Sequence, residues 1–500
     1  MRISSHCPLL WVSRALSSPG FPFALPALLG LGLFSLLCPE RVGAACPSSR
    51  VKPFSPQHPS PPPTLIPNSG AQLVCKASAL AAYLESQCQA LKGLCEASWP
   101  WRALPSLQTL ASVMGPLDSR VHFVRTYLQL SDEGLVALDW AVGPAQQKRS
   151  QTSSTCSAPV LLLVPNSFGK VTRNVSKLCH VALLHGYHPV VFNRRGQNGC
   201  PLSTTTLQPY GDPADLREAV RYIRSRCPGA LLFAVGESTG AGLLLSYLGE
   251  CGSSSHVTAA GCISPVFDPR GWFEAGCPWL WQQLLLMSQK VWLSRFATVL
   301  GEVLPLDRFF RGQSLRELEE VLFCQAQTWD LYWERNDPLR DVDEVAVPVL
   351  CICSQDDPMC GAPRDTLPFE LFETNPYFFL ALTQGGGHCG FFKDGLCGAL
   401  WSHEVLLEFF HTTVEPRRGA RPVLKVTQGR SGCRQESGCP HNRPDICSWQ
   451  RSYSCSSLAI CRMFLPRALS PQLPLGWPVS QQPRHQGCAR LPPPQVLLGL

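Results

Sequence analysis

No Cys-x-x-Cys pair occurs anywhere in this chain of 500 residues, although it holds 25 cysteines. That absence removes the familiar paired-thiolate metal and redox motifs. Cys433, Cys439, His441 and Cys447 match no known zinc spacing, so no metal site is expected from them. The cysteines are too thinly spread for a disulfide-framed domain, and Cys351 and Cys353, alternating in a strand-like run, read as buried thiols. An excess of charge of one sign is also missing from the patterned part of the chain. The net charge is +7, but twelve Arg and Lys beyond position 411 face three acidic residues, leaving about −2 for everything else. The basic excess belongs to a tail without apolar periodicity, and nucleic-acid binding is therefore not expected.

Long apolar runs are absent from the termini except for 21–38, which follows Arg2 and Arg14 and precedes the small residues Val42-Gly43-Ala44. About eighteen residues fits either a long signal-peptide core or a short membrane anchor, and both remain open for 1–44. Either one sends the chain into the secretory pathway, to the endoplasmic reticulum or another membrane or outside the cell. Asn174-Val175-Ser176 is its one glycosylation sequon. A Pro-rich linker is expected over 45–74 and an amphipathic helical lead-in over 75–104, with Leu80, Tyr83, Leu84 and Leu91 on one face. Residues 105–412 carry the regular patterning, and 413–500 read as a disordered basic tail rich in Cys, Pro and Ser.

Within the patterned region, 123–130 and 135–142 alternate with period two around the turn Ser131-Asp132-Glu133-Gly134 and predict a hairpin, whose Asp139-Trp140 end should be an outer strand. Short, wholly apolar strands then alternate with helices: strands at 159–164, 189–193, 231–235, 347–353 and 377–382, and helices at 172–184 and from Asp212-Pro213 onward. Such strands are buried on both faces, so the fold class is α/β with a mostly parallel central sheet. Between about 265 and 340 helices and aromatics interrupt the pattern, including Trp272, Phe273, Trp279, Trp281, Trp292, Phe309, Phe310, Trp329 and Trp333. These suggest an apolar cap able to hold an acyl chain, or simply the cap's own core.

The strand at 231–235 runs into Gly236-Glu237-Ser238-Thr239-Gly240 and then into a helix. A tight strand-to-helix turn lifts a serine hydroxyl above the sheet, and small residues on either side let backbones pass close by. A serine needs an imidazole to take its proton and a carboxylate to orient that imidazole. Asp356 and Asp357 follow one later strand and His388 lies in a Gly-rich loop after the last, in the order acid then base.

The set Gly236-x-Ser238-x-Gly240, Asp356-Asp357-Pro358 and Gly386-Gly387-His388-x-Gly390-Phe391-Phe392 resembles the abhydrolase-domain lipases and esterases grouped with the yeast ethanol-ester acyltransferases. Pro105-x-Leu107-Gln108-Thr109, Phe192-Asn193-x-Arg195-Gly196 and Asp212-x-x-Asp215 extend the resemblance over nearly three hundred residues, and 246–265 and 332–347 are closest to one member of the group. The resemblance implies an α/β-hydrolase fold with a helical cap, Ser238 as nucleophile, Asp357 rather than Asp356 as acid, and His388 as base. It implies acyl-ester substrates, chiefly glycerolipids or phospholipids, at a membrane, with no metal or organic cofactor. The family's His-Gly loop after the strand at 159–164 is replaced by Pro165-Asn166-Ser167-Phe168-Gly169. Pro165 has no N–H, so the oxyanion donors expected are the backbone amides of Thr239 and of Ser167 or Phe168. Glu237 is expected to point away from Ser238 by strand alternation. The altered loop keeps a second reading open: a weakly active or inactive hydrolase fold serving as a membrane scaffold for a protein partner.

Overall fold

The computed structural model describes residues 71–93, 104–114, 121–143, 158–166, 171–393 and 400–414. The expected signal or anchor segment, nearly all of the linker and the tail from 415 onward lie outside the described residues. The strands among the described residues are β1 (Gln72–Val74), β2 (His122–Gln129), β3 (Leu135–Val142), β4 (Val160–Val164), β5 (His188–Asn193), β6 (Leu232–Glu237), β7 (Ala259–Ile263), β8 (Val349–Ser354) and β9 (Phe378–Thr383). They form one sheet of nine strands in the order β1-β9-β8-β7-β6-β4-β5-β3-β2. Pairing is parallel from β5 through β9, whereas β1, β2 and β3 join antiparallel.

The period-two geometry of β4 shows why its five apolar residues must be buried on both faces. Val160, Leu162 and Val164 pack with Leu216, Val220, Leu244 and Leu248 of the helices Ala214–Arg226 and Thr239–Cys251. Leu161 and Leu163 face the opposite way, against Val175 and Leu178 of Arg173–Leu184 and Val405 and Phe409 of Trp401–Val414. Between β7 and β8 six helices form a cap from Pro269 to Asn336, and its core, with Phe309, Leu318, Tyr332 and Trp333, is separate from those two.

Several local expectations are corrected. β3 is not the outer strand: it lies between β5 and β2, which is the edge. Its Asp139 is only 3% exposed and is neutralised by Arg125 at 2.7 Å, with Asn193 Nδ2 donating to it at 2.9 Å. The linker ends earlier than expected, because Gln72–Val74 pairs antiparallel with β9. The lead-in helix breaks at Cys88 into Ala79–Gln87 and Gln89–Lys92, and the free amides of Gln89 and Ala90 donate to Glu408 at 2.8 and 2.6 Å. The helix at Asp212 starts one residue late: Pro213 holds the cap position and Asp212 Oδ1 accepts from Ala214 N.

Candidate active site

β6 ends at Glu237 and the helix Thr239–Cys251 begins two residues later, so a single residue makes the turn. That residue is Ser238, held at φ 54° and ψ −121° with its N–H donating to Ile263 O at 2.8 Å. A positive φ costs a non-glycine residue energy, and such strain persists only where the surroundings over-determine it. Here they do. A Cβ on Gly236 would fall 2.4 Å from Ala241 Cα, and one on Gly240 would fall 2.2 Å from Val164 O.

The loops after β8 and β9 bring the other two side chains to this hydroxyl. His388 Nε2 lies 2.7 Å from Ser238 Oγ, and Nδ1 lies 2.8 Å from Asp357 Oδ2. Asp357 Oδ1 accepts from the amides of Met359 and Cys360 at 2.8 and 3.0 Å, which fixes the carboxylate. The adjacent acid serves differently, since Asp356 Oδ1 accepts from Ser354 Oγ and Gly387 N and so ties the two loops together. All three members of the relay are buried.

Burial alone would depress the imidazole's proton affinity, but the Asp357 carboxylate outweighs it and holds the His388 pKa well above its ordinary value. The same pairing, helped by the two amides, overcomes the burial penalty on Asp357 and keeps its pKa low. Cys360 Sγ sits 3.7 Å from Nδ1, and burial pushes its thiol up to about 11, so it is a neutral neighbour.

Further supports of the His388 loop come from distant sequence and were not anticipated. His388 N donates to Thr109 Oγ1 at 2.9 Å, and Cys389 N donates to Ser264 Oγ at 3.0 Å. Asn174, expected to carry a glycan, is another: it is 1% exposed, and its Nδ2 donates to Cys389 O at 2.6 Å. A glycan needs that nitrogen at the surface, so the folded chain withdraws the sequon. The Pro-x-Leu-Gln-Thr match at 105–109 was the one sequence signal for any of these supports.

Of the expected oxyanion donors, Thr239 stands at the N-terminus of its helix, directly after Ser238. Ser167 and Phe168 lie outside the described residues. Asn166 is buried and lines the cavity at Ser238. Glu237 keeps the strand's alternation, on the sheet face of Phe233 and Val235, where its Oε2 accepts from Thr172 Oγ1 at 3.0 Å; the cavity at Ser238 reaches that face, so Glu237 and Thr172 line it too. Burial, only partly offset by that hydrogen bond, pushes the Glu237 pKa up to about 7.

The cavity measures about 220 Å³, and its walls are chiefly apolar, with Leu110, Val113, Trp281, Leu285 and Met359 around Ser238 and His388. Of the cap aromatics, Trp281 alone lines it. Trp272, Phe273, Trp292 and Phe309 line a second, smaller cavity. Phe310, Trp329 and Trp333 pack in the cap core, and Trp279 is exposed.

A parallel sheet with a helical cap, a strained serine between strand and helix, and an acid and base delivered in that order define an α/β hydrolase. Sequence comparison agrees: residues 161–395 match the model of the alpha/beta hydrolase family. The chain is 51% identical over 400 residues to Protein ABHD15 of Homo sapiens, covering 77% of this chain and 85% of that protein, and it belongs to the α/β-hydrolase family. It is 28% identical to Phospholipase ABHD3 of Mus musculus over 338 residues, 64% of this chain and 79% of the other. It is 26% identical to a monoacylglycerol lipase of Saccharomyces cerevisiae over 300 residues, 55% and 64% of the two chains.

Proposed function

We propose that the chain is a serine hydrolase that cleaves acyl esters of glycerolipids or phospholipids through an acyl-Ser238 intermediate. The observation that carries this reading is the unbroken contact from Asp357 through His388 to Ser238 Oγ, opening on an apolar cavity. His388 Nε2 takes the Ser238 proton as Oγ bonds to the ester carbon, and returns it to the alcohol as the C–O bond breaks. Water then repeats the exchange and releases the acid. The Thr239 amide supports the developing oxyanion, with Ser167, Phe168 or Asn166 as the second donor. The lipase and phospholipase names of the relatives favour lipid esters.

Labelling with a fluorophosphonate probe tests the reading. Wild-type protein reacts and Ser238→Ala does not. A folded wild-type chain that never labels would leave the scaffold reading, which Pro165 and the Glu237 carboxylate at the cavity favour, in which the fold works through a protein partner. From the N-terminal sequence we also propose residence in the secretory pathway and work at a membrane. No helix among the described residues is long and apolar enough to cross one. Protease protection of the full chain in sealed microsomes tests the placement, and cytosolic exposure of residues 71–414 would overturn it.

A further inference from the structure

Two consecutive arginines follow β5, and they differ in kind. Arg195 is saturated: Nε and Nη2 donate to Asp215 at 2.6 and 2.7 Å, and Nη1 and Nη2 donate to Asp132. Arg194 is 6% exposed, yet neither its Nε nor its Nη2 has a hydrogen-bond partner. The carboxylates of Glu319 and Asp215 act on its charge, but a buried guanidinium whose donors are left without acceptors is costly to hold. Burial accordingly draws its pKa down.

Arg194 lines the second cavity, about 70 Å³ in volume, between the sheet and the cap. Tyr210 also lines it, 5% exposed and with an unpartnered hydroxyl. Glu319 closes another wall, accepting from Tyr332 Oη at 2.5 Å; burial lifts its pKa to about 7, while Tyr332 and the Arg194 charge oppose the rise. Thr239 reaches the same cavity, which places it at the nucleophile's turn. The volume suits a phosphate-sized group and not an acyl chain, which the 220 Å³ apolar cavity on the other flank can begin to house. The acyl and alcohol halves of an ester leave the reacting carbon in different directions. Thr239, next to Ser238, is the residue that borders the Arg194 cavity, while Ser238 and His388 border the apolar one.

We propose that Arg194 and Tyr210 form an anion subsite that receives a phosphate on the alcohol half of the ester, so that the substrate is a phosphate-bearing acyl glycerol. This rests on the hydrolase reading and narrows its substrate class. The guanidinium's forked donors match two phosphate oxygens, and the tyrosine hydroxyl supplies a third hydrogen bond.

The test uses full-length Ser238→Ala protein, which cannot turn substrate over, titrated with a monoacyl glycerol phosphate, the monoacylglycerol of the same chain length, and inorganic phosphate. The phosphate-bearing lipid should bind roughly ten- to a hundredfold tighter than its neutral match. Adding Arg194→Gln should erase that preference without weakening monoacylglycerol binding, and Arg194→Lys should restore part of it. Tyr210→Phe should lose part of the preference with unchanged thermal unfolding, and it stands in if Arg194→Gln does not fold. Equal affinity for the two lipids, or an Arg194→Gln that weakens both alike, overturns the subsite. Inorganic phosphate binding as tightly as the lipid would also overturn it, by making it a free-phosphate site. Failure of fluorophosphonate labelling would remove the hydrolase reading alone, because the phosphate preference is measured without turnover.

Discussion

The Ser238, His388 and Asp357 side chains are matched almost atom for atom, whereas the second cavity gathers unmatched ones. His388 uses both ring nitrogens and its backbone amide, and both Asp357 oxygens are occupied. Around the second cavity, Nε and Nη2 of Arg194 and the Tyr210 hydroxyl lack hydrogen-bond partners, as does Oε1 of Gln208 on the same wall. Buried polar groups are satisfied in the great majority of cases. A satisfied set is geometry fixed in advance, and four unsatisfied atoms on residues lining one cavity, those of Arg194, Gln208 and Tyr210, mark a place for something the chain does not itself supply.

The sharpest way to break the matched side is at its centre. Ser238→Ala should lower kcat by roughly 10⁶-fold on any ester the protein cleaves, read by steady-state hydrolysis. Asp357→Asn should cost about 10⁴-fold. It should also move the rising limb of the kcat/KM profile to lower pH: His388 must be neutral to accept a proton, and the carboxylate that holds its pKa up is gone. An unchanged limb would show that Asp357 does not set the imidazole's titration. Thr109→Val leaves the His388 amide buried without its acceptor and should lose about 1–3 kcal/mol of stability in chemical denaturation. The smallest effect is expected at Glu237, whose pKa near 7 makes it anionic on the alkaline side, where it opposes the oxyanion. Glu237→Gln should give a several-fold gain in kcat above pH 7 and little change below; a loss at both ends would assign the carboxylate a structural role.

The turn at Ser238, its acid and its base were legible because each sits at the end of a wholly apolar strand, and the chain order of the three is itself a pattern. β7 was not, since Ala259–Ile263 is mostly small residues with neither a β-branched run nor alternation to separate it from a loop. β1 has three residues and exists only because β9 offers it an edge. Alternation gave Glu237 its sheet face, but not that the cavity at Ser238 extends to that face. The supports of the His388 loop were invisible for another reason: Thr109, Asn174 and Ser264 are 279, 215 and 125 residues away from the amides and carbonyl they serve. The family match at Arg195 and Asp215 singled out the arginine that pairs with Asp215, but nothing in the sequence showed that Arg194 is buried with Nε and Nη2 unpartnered.

The hydrogen bond from His388 to Thr109 makes the working unit wider than its recognisable motif. A fragment trimmed to 161–395 would keep Ser238, Asp357 and His388, yet it would discard the helix Pro105–Met114 that braces the imidazole's loop and the helix Trp401–Val414 that covers one sheet face. Nothing shorter than about 72–414 retains all the pieces, so minimal catalytic fragments and split-protein designs cut inside those limits should fail through loss of alignment rather than loss of any reacting group.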